Sequence, residues 1–114
     1  MKHEKNLLSG STSMLLLALL KDRDMYGYEM VEELARRSDD TFLLKEGTLY
    51  PLLHTLEKDR CVESYMMQTA GGRDRKYYRL TDIGRAQLEF KTREWKMFSE
   101  KVSAVIGCTA PAGL

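Results

Sequence analysis

Apolar residues run almost unbroken from Met14 to Leu20. They recur at helical spacing from Tyr26 to Arg37 and from Glu46 to Lys58, alternate on either side of Ala70-Gly71-Gly72, and return every three or four positions from Ile83 to about Ile106. This pattern predicts a chain of helices interrupted by one hairpin. Ser11, Thr12 and Ser13 offer capping oxygens ahead of the first helix. That helix is apolar on nearly every face, so it needs cover on more than one side, from its own domain or from a second subunit. After a polar break at Lys21–Asp24, Met30, Val31 and Leu34 share one face of the second helix. Its glutamates come early and its arginines late, as the helix dipole favours. Gly27, in its first turn, allows a neighbour to approach closely.

Phe42-Leu43-Leu44 reads as a short extended piece. The third helix follows over Glu46–Lys58, with Thr48 as its cap and Pro51 in its first turn, where a missing N–H costs nothing. Leu49, Leu52, Leu53 and Leu56 form its buried stripe, and Tyr50, His54 and Lys58 mark another face. Cys61–Met67 and Arg75–Leu80 are the hairpin strands. Thr81-Asp82 caps a last helix of roughly 36 Å at about 1.5 Å per residue. Along it Leu88, Lys91, Trp95, Phe98, Val102 and Val105 follow the alternating three-and-four spacing of a heptad seam, apolar except at Lys91. A helix of that length outruns a small core, so part of it should pack against another chain.

The expected fold is mostly α with a small β-hairpin: a winged helix-turn-helix followed by a long C-terminal dimerisation helix. Residues 1–82 would form the DNA-binding domain, with 1–9 a flexible N-terminus. Residues 83–107 would form the dimerisation helix and 108–114 a tail. In such an arrangement the third helix reads the major groove and the hairpin is the wing.

Composition narrows the function less than placement does. With 114 residues and a formal net charge of +1, the chain supports one domain and carries no global signature of nucleic-acid binding. The charge is concentrated locally. Arg73, Arg75, Lys76 and Arg79 stand against Asp74 alone, directly after two glycines, so the hairpin tip can approach a phosphate backbone. Alternatively, such charges merely blunt a sheet edge. Cys61 and Cys108 form no C-x-x-C pair and read as reduced thiols. Met14–Leu20 is too short to span a membrane and lacks a cleavage site, so no membrane partner is expected and the expected compartment is the cytoplasm. The only histidines are His3 and His54, and no nucleophile, phosphate-loop or metal-ligand motif occurs. The reading is therefore non-enzymatic, with no cofactor and no metal.

Three motifs in order carry a family resemblance: Tyr26-Gly27-Tyr28-Glu29-Met30, Glu46-Gly47-Thr48-Leu49-Tyr50-Pro51-Leu52-Leu53-His54-Thr55-Leu56-Glu57, and Gly72-Arg73-Asp74-Arg75-Lys76-Tyr77-Tyr78-Arg79-Leu80-Thr81-Asp82-Ile83-Gly84. Together they resemble the PadR-like transcriptional regulators from about Ser13 to Leu88. The single long last helix resembles the smaller subfamily. The resemblance implies a homodimeric winged-helix repressor, dimerised through the last helix with help from the first. One departure is Arg60, where the family usually has glycine.

The resemblance places Lys45, Thr48 and Tyr50, at the start of the third helix, against DNA. Tyr50 is either a phosphate or sugar contact or a half-buried packing residue. His54 faces either DNA or solvent. Arg73, Arg75 and Lys76 are expected on phosphates, with Arg73 in reach of a minor groove. Tyr77 and Tyr78 are expected to pack the wing onto the body. Leu15, Leu16, Leu88, Trp95, Phe98, Val102 and Val105 are the expected dimer contacts. Trp95 is either an interface anchor or, with Met14, Leu15, Phe98 and Val102, the wall of a pocket for a planar apolar effector. A two-fold dimer should prefer double-stranded DNA with an inverted-repeat operator. The alternative is a winged-helix module that binds protein or ligand without specific DNA binding.

Overall fold

The computed structural model describes residues 11–108; the expected flexible N-terminus and residues 109–114 of the expected tail lie outside the described residues. The elements are α1 (Thr12–Asp22), β1 (Met25–Tyr26), α2 (Gly27–Arg37), α3 (Glu46–Lys58), β2 (Val62–Gln68), β3 (Asp74–Leu80) and α4 (Asp82–Ile106). The strands form one antiparallel sheet in the order β1-β3-β2. This is the winged helix-turn-helix with a long C-terminal helix.

The core explains the shape. Leu16, Leu17, Leu19 and Leu20 of α1 are buried, and they meet Met30 and Leu34 of α2, Leu49, Leu53 and Leu56 of α3, and Val62, Tyr78 and Leu80 of the sheet. Burying a side chain of this kind stabilises the fold by about 1.5–3 kcal/mol. The all-round apolar character of α1 is thus largely absorbed within the chain. Leu16 is 0% exposed and Leu88 is also buried, so these two expected interface residues lie in the protomer's own core.

The short strand stands elsewhere than expected. Phe42–Leu44 is irregular, and the extra strand is Met25–Tyr26, paired with Tyr78 and Tyr77. The chain leaves α2 through Asp39 and Asp40, both left-handed (φ 50° and 61°), with the Asp40 N–H donating to Ala35 O at 2.8 Å. Aspartate tolerates this region better than most residues.

At the start of α3 the cap is Lys45, not Thr48: the N–H groups of Thr48 and Leu49 both donate to Lys45 O at 2.9 Å, and no side-chain cap bond forms. The helix therefore begins before Thr48, and Pro51 lies inside it beyond the first turn. The Thr55 hydroxyl bonds the Pro51 carbonyl at 3.1 Å.

At the other end, Cys61 N–H donates to Leu56 O at 2.8 Å and Arg60 N–H to Glu57 O at 3.0 Å, with Arg60 at φ 63°. This is a Schellman closure built on arginine in a left-handed conformation that glycine adopts without penalty. Thr81 then ties α4 to the same corner. Its N–H reaches Cys61 O at 3.1 Å, its hydroxyl donates to Arg60 O at 2.6 Å, and that hydroxyl accepts from Gly84 N–H at 3.0 Å.

Candidate nucleic-acid interface

The exposed side of α3 and the β2–β3 hairpin flank a cavity of about 410 Å³, lined by Tyr26, Gly27, Tyr28, Glu46, Tyr50, Asp74, Arg75 and Lys76. Lys45, Thr48, Tyr50 and His54 are all exposed, so one face of α3 is free for a ligand while Leu49, Leu53 and Leu56 bury the other. Tyr50 is 46% exposed. Its hydroxyl lies against the start of α2, in space that any Cβ on Gly27 would occupy. The neighbour that Gly27 admits is therefore a side chain of α3.

At the hairpin tip Thr69 N–H bonds Arg73 O at 2.8 Å, Gly72 N–H bonds Thr69 O at 2.9 Å, and Gly72 is left-handed (φ 84°). Arg73 is exposed, and among the described residues it makes no ion pair.

The other wing cations are more engaged. Lys76 pairs with Glu57 at 3.8 Å and sits 5.6 Å from the Tyr78 ring centre. Arg75 lies 5.1 Å from the Tyr26 ring centre, and its Nε is buried without a hydrogen-bond partner. Arg79 lies over Tyr65 at 5.0 Å and pairs with Glu63 at 3.5 Å.

The register explains this arrangement. Tyr26 and Tyr65 both stand opposite Tyr77. The Tyr65 and Tyr77 rings stack at 5.7 Å, and the Tyr26 and Tyr77 rings meet edge-on at 5.3 Å. Arg75 and Arg79 cap the two ends of this row. Such cation–π contacts stabilise by about 0.5–1 kcal/mol each at exposed sites.

The row's base is fixed by the Tyr65 hydroxyl, which donates to Asp24 Oδ2 at 2.6 Å and whose pKa this carboxylate raises. Tyr78, on the opposite face, is buried, and burial raises its pKa. The two tyrosines expected to share a packing role thus act on opposite faces of the sheet. The roles of Tyr26 and Tyr65 were not read from the sequence; the only signal for them was the alternation of β3.

Along α4, Trp95 is 41% exposed, Phe98 62%, Val102 39% and Val105 87%. Trp95 and Phe98 have ring centres 6.3 Å apart. Met14 and Leu15 are half-buried against the core. None of the five residues considered for an effector pocket lines the cavity beside α3 or a second cavity between α1 and α4.

Comparison with known proteins places this architecture. The profile of the transcriptional regulator PadR-like family matches residues 16–90. The chain belongs to the PadR-like family of transcriptional regulators. A PadR-like transcriptional regulator from Bacillus cereus superposes with a TM-score of 0.79 at 33% identity, over 89% of this chain and 96% of that one. A transcriptional regulator from Clostridium thermocellum gives a TM-score of 0.80 at 29% identity, over 87% and 96%. A transcriptional regulator of Mycobacterium tuberculosis is 35% identical over 86 residues, covering 75% of this chain and 74% of that protein. This PadR-like chain is accordingly a DNA-binding transcriptional regulator and not an enzyme. Among the described residues, no helix is long and apolar enough to cross a membrane.

Proposed function

We propose that this PadR-like regulator is a cytoplasmic homodimeric repressor that binds an inverted-repeat operator and is released by a small-molecule effector. The observation that carries the reading is the apolar seam on α4. Trp95, Phe98, Val102 and Val105 stay exposed on a protomer whose winged-helix core is already buried. A partner across that seam would bury these side chains, and aromatic anchors of this type dominate interface energies.

Two-fold pairing would set the two copies of α3 about 34 Å apart, or a near multiple of it, matching successive major grooves on one side of the duplex. Lys45, Thr48, Tyr50 and His54 would meet the major groove. Arg73 would bind phosphate at the wing tip, with Arg75 and Lys76 joining it once their contacts with Tyr26 and Glu57 are exchanged for phosphate. Leu15, Trp95, Phe98, Val102 and Val105 would form the dimer contact.

Light scattering of the purified protein, followed by titration onto duplexes selected from a random pool, tests the reading. A stable dimer whose selected sites share two-fold symmetry supports it. A monomer, or sites without symmetry, would count against it.

A further inference from the structure

Glu57 occupies the last turn of α3, where the carbonyl end of the helix disfavours a carboxylate. Its side chain is half-buried and reaches the wing. One carboxylate oxygen, Oε2, accepts from the Ser64 hydroxyl on β2 at 2.5 Å, and the other, Oε1, lies 3.8 Å from Lys76 Nζ on β3. A single side chain of α3 thus holds both strands of the hairpin. Ser64 stands opposite Tyr78, and Met66 opposite Lys76, so Ser64, Lys76 and the buried Tyr78 share one face of the sheet. On the other face the Tyr65 hydroxyl is held by Asp24 at 2.6 Å. Neighbouring residues of β2 are therefore fixed from both sides. Beyond them Met66, Met67 and Gln68 are exposed, and the hairpin runs on to Arg73 at its tip.

The two halves of the Glu57 contact differ in strength. The serine bond is short and partly buried, and the charge on its acceptor strengthens it. The Lys76 pair is long, and its side chains are 51% and 35% exposed, a setting in which ion pairs contribute little. The first suits a fixed anchor. The second suits a contact that a stronger anion displaces.

We propose that Glu57 is a positioning residue for DNA binding: through Ser64 it sets the angle of the wing against α3, and through Lys76 it holds one wing cation back until a phosphate takes it over. The same carboxylate, left beside the duplex once Lys76 has moved, repels the phosphates. Affinity is therefore lower than the wing cations alone would give. This role rests on DNA binding by the chain, and not on its being a dimer, a repressor or effector-responsive.

Two substitutions separate the halves. Glu57→Gln keeps an acceptor for Ser64 and removes the charge, whereas Ser64→Ala removes the anchor and keeps the charge. Fluorescence anisotropy on one selected duplex compares these with the unmodified chain, Lys76→Ala and the double variant Glu57→Gln/Lys76→Ala. Hydrogen exchange of β2 and β3 is followed in the same proteins without DNA. Glu57→Gln should bind about threefold tighter, the scale of an exposed ion pair, and exchange as the unmodified chain does. That gain should vanish in the Lys76→Ala background. Ser64→Ala should bind about fivefold weaker, the scale of one hydrogen bond, and exchange faster in both strands. A carboxylate that only stabilises the fold would weaken binding in both variants or in neither. Unchanged or weaker binding by Glu57→Gln, a gain that persists without Lys76, or unchanged exchange in Ser64→Ala would overturn the assignment. Failure of the unmodified chain to bind any duplex would overturn DNA binding and this role with it, while the exchange data would still report the anchor.

Discussion

The Tyr50 hydroxyl on α3 stands 2.6 Å from the point where a Cβ on Gly27 of α2 would sit. The two helices are thus keyed by one tyrosine and one missing side chain. Gly27→Ala should displace the ring. The obstructing atom is the far end of a flexible side chain, and alanine favours a helix over glycine by roughly 0.5–1 kcal/mol. Thermal stability should therefore change little, while operator affinity falls by about tenfold, equivalent to about 1.4 kcal/mol. Calorimetric melting beside a DNA titration separates the two effects. Retained affinity would show that the position of Tyr50 does not matter for binding.

Gly84 offers the opposite case. A Cβ there would lie 2.0 Å from the Cys61 carbonyl oxygen and 2.7 Å from Leu80 Cδ1. The carbonyl belongs to the corner that Arg60 and Thr81 close, so it has little freedom to retreat. Gly84→Ala should cost about 3 kcal/mol, the upper range for overpacking a core. Denaturant unfolding would read this as a lower midpoint, and a loss under 1 kcal/mol would mean that α4 can shift at its origin.

Arg60 holds a left-handed conformation at φ 63° with both Schellman hydrogen bonds in place. Replacing it with glycine removes a conformational penalty of about 1–2 kcal/mol but restores unfolded-chain freedom worth about 0.4–1 kcal/mol. A net stabilisation of about 0.5 kcal/mol is expected from the difference of those two ranges. A destabilised Arg60→Gly protein would show that the arginine side chain makes a compensating contact.

Acid sensitivity has a local source at the ends of α1 and α2. The hydrogen bond from Arg36, then that from Arg37, lowers the Glu33 pKa from its ordinary 4.5 to about 2. A depressed folded-state pKa adds stability that is present above pH 4.5 and is lost as pH falls toward about 2. Glu33 is half-buried, but its partners Arg36 and Arg37 are exposed to solvent, so the effect is damped by screening. Glu33→Gln should flatten stability against pH across that window and leave the neutral-pH fold intact. An unchanged slope would assign the acid sensitivity to other carboxylates.

Much of this architecture is legible in the sequence because it rests on local pattern. The leucine stripe and polar flanks of Glu46–Lys58 marked α3, and Thr81-Asp82 marked the start of α4, where the hydroxyl does cap the helix. Features made by pairing across the chain were not legible. The two residues of β1 have no period of their own and become a strand only because Tyr77 and Tyr78 lie beside them. Thr48 looked like a cap because hydroxyls suit that position, yet the chain turns helical sooner at Lys45.

At the candidate interface, residue type singled out Arg73, Arg75 and Lys76 but did not reveal their engagements. The ring beneath Arg75 is Tyr26, far away in sequence, and the partner of Lys76 is Glu57 on α3. Leu16 and Leu88 show the same limit, since an apolar position does not reveal whether its cover comes from its own chain.

A dimer holding two copies of α3 and the wing should read DNA with Arg73 on the phosphate backbone. Fluorescence anisotropy with a selected inverted-repeat duplex at several salt concentrations, for the unmodified chain and Arg73→Ala, tests it most directly. The unmodified chain should bind tightly and lose affinity as salt rises. Arg73→Ala should weaken binding to all sequences and reduce the logarithmic salt slope by about one unit for each wing engaged. Binding without salt dependence, or an Arg73→Ala slope equal to that of the unmodified chain, would contradict it.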